Sequence, residues 1–168
     1  MKKIDISKLT LKYKVRRLTE SDIWLIYNLC LGNQQYYEYC SKEPSIDIIK
    51  DDMTITPPGK CVSDKYYVGF FDGERLIAAL DLIDGYPEDD IAFIGFFMLA
   101  KELQGQGLGS LISEEICDYL KSIGFKKVRL GIDKDNPQSN HFWKKNGFAV
   151  LKEVVKEDGT LLLAEKTL

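Results

Sequence analysis

Histidine is almost missing from this chain. His141 is the single one, and the four cysteines, Cys30, Cys40, Cys61 and Cys117, stand far apart with no C-x-x-C pair. A structural zinc site needs four such ligands at short spacing, so no metal is expected and the thiols are expected to be reduced and mostly buried. Long apolar runs are missing too. The longest, Ile91 to Ala100, is about half of what a membrane-spanning helix needs. The charged start of the chain leads into no hydrophobic segment of the signal-peptide kind. Excess basic charge is also absent, with 23 Lys and Arg against 26 Asp and Glu for a net charge of −3. Nucleic-acid binders usually carry a strongly basic face, which this balance does not support. The expectation is a cytoplasmic protein with neither membrane nor nucleic acid as partner.

No internal repeat, linker or low-complexity segment interrupts the chain. Its 168 residues, 45% apolar, suit one globular domain over residues 1–168, with a core spanning about 13–165. Tyr13 to Leu18 alternates as a first strand. Thr19 is placed as the N-cap of a helix, with Asp22 three residues on and Gly32 at its end. Pro44 to about Met53 patterns as a second, short helix. Two apolar runs, Tyr66 to Phe71 and Arg75 to Ile83, flank Asp72-Gly73 and predict a hairpin. Ile91 to Leu99 is continuously apolar, as in a central strand covered on both faces, and Gly95 in its middle marks a bend or a close approach. A long helix begins at Leu108 and ends at Gly124, followed by a strand from Lys127 to Ile132. Pro137 opens another helix that Gly147 closes, and a last hairpin turns at Glu157-Asp158-Gly159.

Between the apolar strand and the long helix lies Gln104-Gly105-Gln106-Gly107-Leu108-Gly109-Ser110. Glycines leave the backbone bare, and the first amides of the following helix have no partner within it, so the stretch suits a phosphate. A Walker loop would need Gly-Lys-Ser/Thr, which is absent. A dinucleotide fingerprint starting at Gly105 would need a third glycine where Ser110 stands.

What remains is Gln-x-x-Gly-x-Gly at Gln104, Gly107 and Gly109. With Asn136 and the run Phe142-Trp143-x-Lys145-x-Gly147-Phe148, it resembles the GNAT superfamily of acyl-CoA-dependent N-acetyltransferases. The resemblance implies an α/β fold: a mixed, mostly antiparallel sheet of about seven strands flanked by about four helices. It implies acetyl-CoA as co-substrate and a small-molecule or peptide amine as acceptor. The loop amides of Gln104, Gly105, Gln106, Gly107, Gly109 and Ser110 would hold the pyrophosphate. The backbone of Phe97, Met98 and Leu99 would pair with the pantetheine arm where the strands at Leu99 and Ile132 splay. Asn136, Ser139 and Trp143 would lie along the cofactor, and a backbone amide at Met98 or Leu99, left unpaired by the splay, would stabilise the oxyanion.

The family's carboxylate on the central strand has no counterpart between Ile91 and Leu99. Asp81, inside the neighbouring apolar strand, is the substitute base, with a salt-bridged role as the competing reading. Asp84, Glu88, Asp89, Asp90 and Glu38 are remoter candidates. The family's acid tyrosine falls at Trp143, whose indole is a donor but no useful acid, so packing is the favoured role there. His141 is expected at the surface. The tyrosines at 36, 37 and 39 serve either as core or as an acceptor wall. Acceptor determinants are expected in loops 36–43, 56–63 and 84–90. Exposed sheet edges allow a homodimer. The reading from a different class is a catalytically weak acyl-CoA-binding or sensing module.

Overall fold

The computed structural model describes residues 4–40 and 42–168. Its strands are β1 (Lys14–Arg17), β2 (Lys65–Asp72), β3 (Arg75–Ile83), β4 (Ile91–Leu99), β5 (Lys127–Asp133), β6 (Ala149–Lys156) and β7 (Gly159–Thr167). They form one sheet in the order β1-β2-β3-β4-β5-β7-β6. Neighbours run antiparallel except β4 and β5, which are parallel. Five α-helices among the described residues flank it: α1 (Ile23–Leu31), α2 (Gln34–Tyr37), α3 (Ile46–Asp52), α4 (Leu108–Ser122) and α5 (Pro137–Lys145). The expected α/β sheet is thus present. The additional helix, α2, lies in the polar, tyrosine-rich segment, where no apolar period announces it.

Two apolar layers cover the sheet. Ile112, Ile116 and Leu120 of α4 pack on Val68, Leu80, Ile94 and Leu130 on one face. Ile26 and Cys30 of α1 and Ile49 of α3 pack on Tyr67, Ala79 and Met98 on the other. The core also reaches below residue 13. Ile4 and Leu9 are buried against the α4 layer, and the Thr10 hydroxyl donates to Glu115 at 2.5 Å.

Local chemistry explains most element ends. Asp22 Oδ2 accepts from the Thr19 amide at 2.9 Å, as the spacing predicts, although the first turn, Glu20–Asp22, is a 3-10 turn rather than α. Ser45, not Pro44, starts α3, its hydroxyl accepting from Ile48 N–H at 3.2 Å. No helix among the described residues is long and apolar enough to cross a membrane.

Candidate active site

The site begins where β4 and β5 part. Their parallel pairing covers Ile91–Ile94 against Lys127–Leu130 and then stops, although β4 continues to Leu99 and β5 to Asp133. From Gly95 onward the β5-side edge of β4 is therefore open. Backbone groups alternate sides along a strand. Ala100 N–H donates to Ile77 O on the β3 side at 2.8 Å, so the Leu99 and Phe97 amides point the other way, into the opening. The same alternation turns Met98 N–H toward Ala79 of β3, which leaves Leu99 rather than Met98 as the donor facing the cleft.

The opening is a cavity of about 380 Å³. Phe97, Met98, Leu99, Gln104, Gly105, Gly107, Gly109, Ser110, Ser139 and Trp143 all lie on its wall. Gln106 and Asn136 do not. Gly107 is the N-cap of α4 at φ 83, a left-handed conformation that side chains resist. The amides of Leu108, Gly109 and Ser110 lie in the first turn of α4, before the first intrahelical donor, Leu111 N–H to Gly107 O at 3.0 Å. The Gln104 amide is already used, donating to Lys101 O at 3.2 Å. Its side chain is a strut instead: Nε2 donates to Leu99 O at 2.9 Å and to Asn33 Oδ1 at 2.6 Å, while Gln138 Nε2 donates to Gln104 Oε1 at 3.0 Å. Gln106 Nε2 folds back onto Glu102 O at 3.0 Å.

Aromatic rings build the far wall. Trp143, 8% exposed, packs edge-on against Phe142 and Phe148, so it fills the core beside the cleft. A Cβ at Gly109 would meet the Phe142 ring at 3.1 Å, so glycine there lets α4 and α5 approach closely. Asn136, 1% exposed, caps α5 by accepting from Ser139 N–H at 3.1 Å. Its Nδ2 is buried and has no partner among the described residues. His141 is exposed as expected, but it stands on the cleft rim with Lys145.

A second cavity, about 440 Å³, adjoins the first, and both are lined by Tyr36, Ile94, Gly95, Phe96, Gly131 and Asp133. Tyr36 and Tyr37 form part of its wall and also pack against the α1–α3 core layer; Tyr39 lies outside. Of the loops expected to carry acceptor determinants, 56–63 and 84–90 line neither cavity. Their place is taken by α3, by β2 and β3, and by the β6–β7 turn, because the parting of β4 from β5 opens toward those elements.

Two partly buried carboxylates face this second cavity. Asp81 lies on β3 opposite Gly95, the extra residue of a β4 bulge; a Cβ at Gly95 would meet Asp81 Oδ2 at 2.5 Å. Glycine here makes room for the carboxylate. Asp81 Oδ2 is 2.6 Å from Lys65 Nζ, whose side chain is 3% exposed, and Oδ1 has no partner among the described residues. Burial raises the Asp81 pKa and the Lys65 ammonium opposes the rise. Asp133, at the end of β5, is also raised by burial; it accepts from the Cys40 thiol at 3.7 Å. Asp133 is the carboxylate on the walls of both cavities. From the sequence it is only the start of a turn; the strand end beside a splay was the available signal. Asp84, Glu88, Asp89, Asp90 and Glu38 line neither cavity. Burial pushes the Cys40 thiol up to about 11, and Cys117 lies buried within α4.

A family model described as the acetyltransferase (GNAT) family matches residues 27–148. No curated protein matches the chain by sequence. Among solved structures, an acetyltransferase from Thermus thermophilus is similar at TM-score 0.74 and 21% identity, covering 95% of this chain and 99% of that one. A spermidine N-acetyltransferase chimera of Vibrio cholerae SpeG and hSSAT is similar at TM-score 0.68 and 19% identity, covering 94% and 96%. The structure of AAC(6')-Ib in complex with ribostamycin and coenzyme A is similar at TM-score 0.70 and 16% identity, covering 92% and 93%.

Proposed function

The chain belongs to the acetyltransferase (GNAT) family, and from that premise we propose that it transfers the acetyl group of acetyl-CoA directly to a primary amine, with both substrates bound together. The observation that carries this reading is the junction of the two cavities at Gly95, Phe96, Gly131 and Asp133. One cavity has the fittings for CoA and the other has buried acid beside an apolar wall, as an amine would need. A structural neighbour is named for spermidine and another holds ribostamycin beside coenzyme A, so small-molecule amines suit this fold.

The residues present fit the CoA group. Free amides at the start of α4 and the left-handed Gly107 form a cradle for pyrophosphate, and Lys145 adds a cation at the rim. The unpartnered Asn136 Nδ2 is a donor held in reserve beside Ser139. The open edge at Phe97 and Leu99 suits the amide-bearing arm as strand addition. When bound, acetyl-CoA supplies an acetyl group activated as a thioester.

Leu99 N–H then aims at the position where negative charge develops on the carbonyl oxygen, and Gln104 and Asn33 hold the Leu99 carbonyl so that this amide is fixed. The amine must lose a proton, and Asp133 takes it, since it faces both cavities and burial raises its affinity for protons. Asp81 is the second candidate because it lies directly on Gly95, but its Oδ2 is held by Lys65. An acyl-enzyme is not part of this route: the Cys40 thiol, pushed up to about 11, stays protonated at neutral pH. With Trp143 packed in the core, water is left to protonate the departing thiolate.

The loop assignment is tested by calorimetric titration of CoA into the wild type and Gly107→Val. Saturable binding by the wild type and at least about tenfold weaker binding by the variant are expected, equivalent to about 1.4 kcal/mol. Equal affinities would overturn it.

A further inference from the structure

The second cavity holds more acid than proton removal requires. Glu43, Asp52, Asp81, Asp133 and Asp158 lie on its wall, against Lys42 and Lys156. Lys65 answers the charge of Asp81, and Asp133 faces the acetyl end. On the α3 side, Asp52 carries no salt bridge among the described residues; Lys65 and Lys42 act on its charge only at longer range, and it acts in turn on both Tyr67 and Asp81.

Tyr67 supplies an independent sign of a ligand. It is 6% exposed, lies across the ladder from Asp81, and lines the same cavity. Its hydroxyl makes no hydrogen bond with any described residue. Buried phenols ordinarily find a partner, so a hydroxyl left facing a cavity is a contact kept for something that enters it. Between these polar groups the wall is apolar, with Ile48, Ile49, Phe93 and Phe96. Methylenes suit those side chains, and protonated nitrogens suit the carboxylates and the phenol oxygen.

Resting on the acetyltransferase reading, we infer that the acceptor is a linear di- or polyamine: one neutral amine meets Asp133 at the junction of the cavities, and a second, protonated nitrogen is held on the α3 side by Tyr67 and Asp52. A monoamine would leave the phenol without a partner and Asp52 with only the charges of Lys65 and Lys42 acting on it across the cavity. A peptide with a single free amine would do the same.

The test is calorimetric titration of butylamine, 1,4-diaminobutane and spermidine into the full chain saturated with CoA, which binds without turnover. Each added ammonium is expected to tighten binding by about tenfold, and added salt to weaken the polyamines most. Tyr67→Phe and Asp52→Asn should each weaken 1,4-diaminobutane and spermidine by about three- to tenfold while leaving butylamine and CoA unchanged. Tyr67→Phe should not lower the melting temperature, because it removes a hydroxyl that has no partner among the described residues. Equal affinity for the three amines would overturn the inference, as would variants that weaken butylamine as much as spermidine. Failure of the wild type to bind CoA contradicts the acetyltransferase reading alone, and the same amine series in the CoA-free protein then decides the polyamine inference.

Discussion

Asp81 and Asp133 are both carboxylates raised by burial, and their neighbours divide their roles. Asp81 faces an ammonium at 2.6 Å, whereas Asp133 faces a protonated thiol. A base with a raised pKa works only when deprotonated, so the rate should climb with pH through a limb above the usual carboxylate range. Asp133→Asn should flatten that limb and lower kcat by about 10²–10⁴-fold, whereas Asp81→Asn should keep the limb in pH–rate profiles. The reverse pattern would move the base to Asp81. The ion pair has its own signature. Lys65→Met strands Asp81 in a buried site and should cost about 3–5 kcal/mol at neutral pH by denaturant unfolding. Without Lys65 the folded-state pKa of Asp81 rises further above its ordinary 3.8, so the folded form keeps a proton that the unfolded chain releases. Stability is then lost as pH rises through that window, and the deficit should be larger at pH 7 than at pH 5.

At the scale of elements, the two helix starts proposed to face CoA are held differently. The start of α4 has glycine at φ 83 and amides with no intrahelical partner, whereas α5 has the Asn136 cap. Asn136→Ala should lose the cap and about 1 kcal/mol of stability. Asn136→Asp keeps a capping oxygen, and its charge suits a helix N-terminus, so its melting temperature should fall less. Both lack Nδ2, so CoA affinity should fall in each, and by no less in Asn136→Asp, whose added charge opposes an anionic ligand; an unchanged affinity in both would remove Asn136 from the site. Gly107, Gly109, Asn136 and the span of β4 were legible in the sequence because backbone conformation and capping restrict residue type locally. Asp133 and Tyr67 were not, since a carboxylate at a strand end and a tyrosine in a buried strand have ordinary local explanations. Only the parting of β4 from β5, a contact between strands distant in sequence, shows which side chains the opening exposes. The bulge at Gly95 stands between these cases: the glycine was visible, but its reason, Asp81 across the ladder, required the register.

For the whole molecule, one discontinuity organises the site. The β4–β5 pairing ends at Ile94, and the space beyond it contains the open Leu99 edge, the α4 cradle and the junction with the acid-lined cavity. The helices on the two faces of the sheet then line different cavities. Residues of α4 and α5 lie on the wall of the first, and residues of α2 and α3 on the wall of the second. The most direct test of this arrangement is to incubate the protein with acetyl-CoA and a panel of butylamine, 1,4-diaminobutane and spermidine, following free thiol and the mass of the amine together. The account predicts thiol release matched mole for mole by acetylated amine, which depends on Asp133. Tight CoA binding with no acetylated amine at any pH would contradict it and leave the chain as an acyl-CoA-binding module.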